Sequence, residues 1–161
     1  MYQINILRMY REAEVRGAEL LQRLLRNCDD PSMVIHLTGQ LADETRHIQL
    51  LTDLLDEFGG IPRMIHKKAL PPRCSNGSST IVLETLAYLY ATEARLQQRY
   101  REHAAQRGED SRIVNTLRAL VVDEEWHLIG VKALLTTQAQ KFGRTRVLAT
   151  MDYYWDLVRK A

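Results

Sequence analysis

The sequence has few of the residues that crosslink small secreted proteins. Only two cysteines, Cys28 and Cys74, occur among the 161 residues, and their spacing matches no CxxC or other metal-binding pattern. A disulfide scaffold, a structural zinc site and an iron–sulfur cluster are therefore not expected. Both thiols should be reduced, as is usual in the cytoplasm.

Long apolar segments are also missing. No apolar run approaches the about 20 residues that a membrane-spanning helix needs, and the N-terminal residues do not resemble a signal peptide. Neither sign of charge dominates, because 22 basic side chains accompany 20 acidic ones along the chain. This composition indicates neither a nucleic-acid partner nor a membrane partner. We expect a cytoplasmic protein.

Glycine and proline, which interrupt helices, are scarce, with eight and four copies respectively. Apolar residues recur at steps of three and four through most of the chain, and strand-like alternation is nowhere sustained. The sequence therefore predicts a single all-α domain over residues 1–161. Five helices are expected, at about 4–26, 31–58, 80–107, 111–139 and 145–160.

The connections between the predicted helices indicate their arrangement. The first two helices and the next two are joined by only a few residues, so each pair should form an antiparallel hairpin. The segment 59–79 holds three of the four prolines, and when extended it is longer than the about 39 Å of a 26-residue helix. It can therefore act as a crossover along the full length of a four-helix bundle.

An internal repeat places the same acidic motif on two helices. The second helix contains DETRH and the fourth contains DEEWH, so the motif glutamates Glu44 and Glu124 are 124 − 44 = 80 positions apart. Another helical glutamate, Glu14 or Glu93, lies about 30 residues before each of them. The two halves of the chain therefore carry corresponding acidic residues at nearly the same spacing.

The acidic residues of this repeat fall on the apolar faces of their helices. Glu and His at i and i+3 lie on one side of a helix, and leucine and valine line the rest of that side. Buried carboxylates without partners are costly, whereas two divalent cations would cancel four negative charges. Carboxylate oxygens and imidazole nitrogens suit iron, which we favour, or manganese, alone or in a mixed manganese–iron pair. The candidate metal ligands are Glu14, Glu44, His47, Glu93, Glu124 and His127.

One Glu from each of two helices, with Glu-x-x-His from each of two others, is the ligand set of the ferritin-like di-iron carboxylate proteins. This family includes rubrerythrins, bacterioferritins and bacterial di-iron oxygenases, and the four main helices of this chain resemble it. The resemblance implies a ferritin-like bundle in which Glu44 and Glu124 bridge two metals. The implied remaining ligands are Glu14 and His47 for one ion, and Glu93 and His127 for the other.

The same resemblance extends to the aspartate before each motif glutamate. In some di-iron relatives such an aspartate accepts a hydrogen bond from the metal-bound histidine of the facing helix. The corresponding pairs here are Asp43 with His127 and Asp123 with His47. Carboxylates in this position fix the tautomer of the imidazole.

Some neighbouring side chains leave alternatives open. Glu12 lies two residues from Glu14, but it shares a helical face with Arg8 and Arg16 and is expected at a solvated surface. Glu125 is set aside for the same reason. Three tyrosines near the site are either radical or hydrogen-bonding partners or plain core: Tyr10, Tyr90 and Tyr100. The histidines outside the motifs are expected at the surface or in a loop: His36, His66 and His103.

Three functions are compatible with such a site. The leading hypothesis is an oxidoreductase whose metal pair reacts with dioxygen or hydrogen peroxide and takes electrons from an external donor. The alternatives are a ferroxidase or other iron-handling protein, and a non-enzymatic interaction module stabilised by metal. The fifth helix has an apolar stripe that must cover either its own bundle or a second subunit. Because ferritin-like proteins commonly self-associate, a homodimer or larger homo-oligomer is expected.

Overall fold

The computed structural model describes residues 2–63 and 80–160, and within them the chain forms five α-helices and no β-strand. The helices are α1 (Tyr2–Arg26), α2 (Pro31–Glu57), α3 (Ile81–Ala104), α4 (Ser111–Phe142) and α5 (Arg144–Lys160). The predicted all-α helical bundle is thus confirmed for these residues. Most of the predicted crossover, 59–79, lies outside the described residues. None of the described helices has an apolar stretch that could cross a membrane.

The helix ends follow local signals. The Asp30 side chain accepts hydrogen bonds from two backbone N–H groups of the first turn and so caps α2. α4 runs three residues beyond its predicted end because the stop is Gly143, whose φ of +81° favours glycine. α3 ends three residues before its predicted end, at Ala104, where the chain already turns and the N–H of Gln106 donates to the carbonyl of His103.

Hydrogen bonds at the ends of the helices show how they point. Arg8, near the start of α1, donates to the carbonyl of Ile61, just beyond the end of α2. Gln3, also at the start of α1, donates to Glu109, beyond the end of α3. α1 is therefore antiparallel to both α2 and α3, so α2 and α3 point in the same direction.

Two apolar clusters fill the bundle on either side of its middle. The first apolar cluster lies towards the end of α1 and includes Leu21, Leu37, Leu86, Val131 and Tyr154. The second apolar cluster lies towards the start of α1 and includes Leu7, Leu51, Tyr100, Leu117 and Leu120. Between them is a layer of buried charged and polar side chains, which apolar residues close off at both ends.

α5 packs on its own bundle, against α3 and α4. Its anchor is Tyr154, which is fully buried and whose hydroxyl donates to Glu84 Oε2 at 2.6 Å. The Tyr154 ring also lies 5.6 Å from the Tyr88 ring, centre to centre. Of the two surfaces that the apolar stripe of the fifth helix could cover, the structure shows the bundle of the same chain.

We expect Tyr154→Ala to lower the free energy of unfolding by about 3 kcal/mol, because it leaves a cavity between α5 and α3. Leu157→Ala is the matched control on the same helix, since Leu157 is 38% exposed; it should change stability by no more than about 0.5 kcal/mol. Urea unfolding followed by circular dichroism measures both values. Equal losses in the two variants would contradict the packing described for α5.

Candidate metal centre

Four helices bring ionisable side chains into the layer between the two apolar clusters. α1 and α3 each provide one glutamate, and α2 and α4 each provide a glutamate and a histidine one turn apart. None of these residues is more than 4% exposed. They are the six predicted ligands, Glu14, Glu44, His47, Glu93, Glu124 and His127.

The six side chains form two overlapping groups of four. Within each group, one oxygen or nitrogen atom from every residue lies within 4.8 Å of those from the others. One group consists of Glu14, Glu44, His47 and Glu124, and the other of Glu44, Glu93, Glu124 and His127. Glu44 and Glu124 belong to both groups. Two neighbouring cation sites that share two carboxylates would have this arrangement.

Both histidines turn the same ring atom towards the carboxylates. His47 Nδ1 lies 3.5 Å from Glu14 Oε2 and 3.4 Å from Glu124 Oε1. His127 Nδ1 lies 3.3 Å from Glu44 Oε1 and 3.5 Å from Glu124 Oε2. His47 therefore faces Glu14 and the shared Glu124, whereas His127 faces both shared carboxylates.

Six oxygen and nitrogen atoms in this layer are buried and have no hydrogen-bond partner within residues 2–63 and 80–160. They are Glu14 Oε2, His47 Nδ1, Glu93 Oε2, both carboxylate oxygens of Glu124, and His127 Nδ1. Five of them meet one another only in the imidazole–carboxylate contacts of 3.3–3.5 Å given above, which are not hydrogen bonds. Buried polar atoms are nearly always hydrogen-bonded in native proteins, so six such atoms in one place need an explanation. Oxygen and nitrogen donors of these kinds fit iron or manganese ions.

In the glutamates of α1 and α3, one carboxylate oxygen accepts a hydrogen bond from an uncharged side chain. The Tyr100 hydroxyl donates to Glu14 Oε1, and Gln40 Nε2 donates to Glu93 Oε1 at 2.5 Å. In both residues the other oxygen, Oε2, is left unpaired inside the layer. Each carboxylate is thereby oriented to offer one oxygen to a cation.

The second ring nitrogen of each histidine, Nε2, faces an aspartate of the facing helix. His47 Nε2 lies 3.3 Å from Asp123 Oδ2, and His127 Nε2 lies 3.4 Å from Asp43 Oδ2. Arg46 contacts both aspartates, at 3.0 Å and 3.1 Å. These are the two pairs that the resemblance implied. A carboxylate at Nε2 favours a proton on that nitrogen, so Nδ1 is the ring atom that could hold a cation.

In the metal-free protein, protons neutralise part of the charge in the layer. Burial raises the pKa of Glu44 and that of Glu93 well above the ordinary value. Burial alone would lower the pKa of both histidines, but the neighbouring carboxylates outweigh it. They raise the pKa of His47 to about 9 and the pKa of His127 to about 11. Metal ligands bind in their deprotonated forms, so cations must displace these protons.

Of the three tyrosines predicted near the site, Tyr10 and Tyr90 lie outside the layer. Tyr10 is 3% exposed, and its ring packs edge-on against Tyr100, with 4.8 Å between ring centres. Its hydroxyl lies 3.2 Å from His103 Nδ1. Tyr90 is half-buried and packs against the first apolar cluster. Tyr100, rather than either of them, contacts a predicted ligand directly.

Three predictions about neighbouring residues were wrong or incomplete. Glu12 is 8% exposed instead of solvated, because it pairs with Arg16, yet it belongs to neither group of candidate ligands. His103 is 3% exposed instead of lying at the surface, because both of its ring nitrogens have partners. His36 is half-buried against α4, where a Cβ added at Gly130 would lie 1.9 Å from its ring. His66 lies outside the described residues.

The sequence analysis missed three residues that shape the site. Gln40 is a polar residue one turn before Glu44 on the buried face of α2, and that position could have identified it. Gly17 makes room for Glu44, since a Cβ there would lie 3.2 Å from Glu44 Oε2. Arg46, inside the motif, forms salt bridges with both aspartates. No sequence signal pointed to the last two.

The neighbours Glu12 and Glu14 allow a matched test of the α1 ligand. Glu14→Ala removes a carboxylate of the first group, so the variant should bind one metal ion fewer than the parent protein. Glu12→Ala removes a carboxylate that pairs with Arg16 outside the layer, and it should bind as many ions as the parent. Elemental analysis of iron-loaded protein gives both numbers. A loss in the Glu12 variant alone would contradict the geometry.

Metal binding should release protons and tighten as the pH rises. The folded-state pKa of His47, about 9, exceeds the value of about 6.5 for an unfolded imidazole. Its charged form therefore stabilises the metal-free protein below pH about 6.5, and this contribution is lost as the pH rises through about 9. Titrating manganese into unbuffered protein with a pH indicator measures the released protons. Binding that released no protons and had the same affinity at every pH would contradict these assignments.

The chain was compared with known proteins at three levels. No protein-family model, no curated protein and no solved structure matches it. A function must therefore be argued from the six side chains and their immediate neighbours.

Proposed function

We propose that this protein is a ferritin-like di-metal carboxylate protein, with a pair of iron ions in the middle of its helical bundle. The observation that carries the proposal is the pair of four-residue groups sharing Glu44 and Glu124. Each group holds three carboxylates and one imidazole, and together they bury six unpaired donor atoms. In the proposed centre Glu44 and Glu124, which belong to both groups, would hold both ions.

The helix directions support a ferritin-like arrangement. α2 and α3 point the same way, which is the relative direction of the second and third helices when two hairpins are joined by one long connection. Glu93 of α3 and Glu124 of α4 meet in one group, and Gln97 Nε2 donates to the carbonyl of Val121 at 3.2 Å. Residues later in α3 thus contact residues earlier in α4, as in an antiparallel hairpin. Two hairpins joined by one long connection are characteristic of the ferritin-like bundles.

The surroundings favour redox chemistry over a purely structural role. A structural metal site is normally closed by its protein ligands, whereas a reactive one keeps positions for small molecules. Six protein ligands for two ions, two of them shared, leave such positions on iron, which prefers higher coordination. Iron so bound supplies electrons to dioxygen or hydrogen peroxide. The chain itself positions the ligands, excludes bulk water through two apolar clusters, and orients each imidazole with an aspartate at Nε2, so that Nδ1 is the nitrogen that would give up its proton to a cation.

The first test is metal analysis of purified protein with two variants. The parent protein, expressed with ample iron, should contain two ions per chain, and the Glu44→Ala, Glu124→Ala double variant should contain none, because both shared carboxylates are gone. Glu125→Ala is the matched control, since Glu125 follows Glu124 but its side chain is 62% exposed. It should retain both ions.

The second measurement asks whether the bound ions react. Ferrous protein should consume dioxygen or hydrogen peroxide, and the double variant should not. A parent with fewer than one ion per chain would refute the metal centre. If two ions are bound but do not react, the metal-stabilised interaction module is the remaining hypothesis. If gel filtration shows a large assembly of many subunits, iron handling is favoured instead.

A further inference from the structure

α4 has a second apolar face, on the side away from the metal layer. This outer face consists of Ala119, Val122, Trp126, Ile129 and Ala133, all of them exposed. Trp126 is 68% exposed, and Val122 and Ile129 are each more than half exposed. The residues follow one another at alternating steps of three and four, which is the spacing of a coiled-coil seam. A helix that only had to pack on its own bundle would be polar on this side.

The neighbouring helix α2 widens the outer face. Ile35 of α2 is 74% exposed, and the next residue, His36, packs on Gly130 of α4. Ile35 therefore stands beside the second half of the outer face. Gly39 and Ala42, further along α2, are also exposed, and both are small. Single exposed apolar residues are common on monomeric proteins, but a contiguous group of them marks a surface that another molecule covers.

The internal repeat indicates that the fold does not require an apolar outer face. The shift of 80 positions that relates the two motifs aligns Trp126 with Arg46 and Ile129 with Gln49. Both of these α2 residues are exposed and polar, as is normal on the solvent side of a bundle. Tryptophan and isoleucine at the corresponding places of α4 therefore need another explanation.

The charges beside the outer face fit a second copy of α4 that runs in the opposite direction. Glu125 and Lys132 are 132 − 125 = 7 positions apart, both are exposed, and each directly precedes a residue of the outer face. They lie along one edge of it, where charged side chains of paired helices meet. With a two-fold axis midway between positions 126 and 129, Glu125 of each copy comes opposite Lys132 of the other. In a parallel pair Glu125 would face the uncharged Gly130 instead.

The apolar residues agree with the same register. The axis that brings Glu125 opposite Lys132 also brings Trp126 opposite Ile129 and Val122 opposite Ala133. A larger side chain then meets a smaller one in each layer, which fills the space between the helices evenly. A parallel pair would bring the two copies of Trp126 against each other.

We propose that the outer face, with Ile35 beside it, is the interface of a homodimer in which the two α4 helices pair in antiparallel directions. A two-fold interface must be complementary to itself, and the charges and side-chain sizes given above have this property. Trp126 is its anchor, because buried aromatic side chains contribute most to protein interfaces. The metal layer takes no part in the contact, so the metal-free protein dimerises as well.

Analytical ultracentrifugation of metal-free protein over a range of concentrations tests the surface. The parent should be a dimer at micromolar concentration. Trp126→Glu should raise the dissociation constant at least about 100-fold, because each dimer loses two aromatic anchors. Trp155→Glu is the matched control, since Trp155 is also exposed, at 41%, but lies on α5; it should dimerise like the parent. Circular dichroism during thermal unfolding establishes that each variant is folded.

Charge reversal tests the direction of the helices. Glu125→Lys and Lys132→Glu should each raise the dissociation constant about tenfold, because each change sets two pairs of like charges across the interface. The two changes together exchange the charges and should restore the parent value. This recovery is expected only if Glu125 of one copy meets Lys132 of the other.

Several results would overturn the proposal. The parent could remain a monomer at near-millimolar concentration, Trp126→Glu could dimerise like the parent, or the double charge reversal could fail to recover. A monomeric parent that binds a different protein through Trp126 would assign the outer face to that partner instead. Because association is measured without metal, failure of the proposed metal centre would leave these results unchanged, so the two proposals are tested separately.

Discussion

Burial of like charges at the centre of the bundle is the constraint on which the rest of the structure depends. Ligand atoms of Glu44 and Glu124 lie within 4.8 Å of each other, of Glu14 and of Glu93, between two apolar clusters. Repulsion between carboxylates is strong where water is excluded. Protons or cations must compensate it, and the helices must hold the acids on faces that are otherwise leucine and valine.

Several neighbouring residues hold the carboxylate groups in place. Tyr100 and Gln40 each occupy one oxygen of a glutamate and leave the other available. Arg46 forms salt bridges with both Asp43 and Asp123, and it thereby offsets part of the charge of the two carboxylates that face the imidazoles. Such preorganisation means that little has to move when a cation enters, which favours tight and specific binding.

Most of the fold follows from the sequence because helical spacing decides which residues share a face. The repeated motif with Glu44 and Glu124 sits at the middle of apolar stripes, and that alone brings its members into one layer. Contacts between helices are harder to predict, because they depend on how the helices are rotated and shifted against each other. The pairing of Gln40 with Glu93 and the burial of His103 arise in this way, and local sequence gives no measure of either.

The two halves of the chain carry equivalent ligands, but they do not surround them equivalently. A phenol hydroxyl supports the carboxylate of one half and an amide supports that of the other. The two ions of a loaded centre would therefore differ in binding strength and in reduction potential, although their ligand atoms are the same. A half-filled centre would then be a single defined species with its one ion on a preferred side, and loading would proceed in a fixed order.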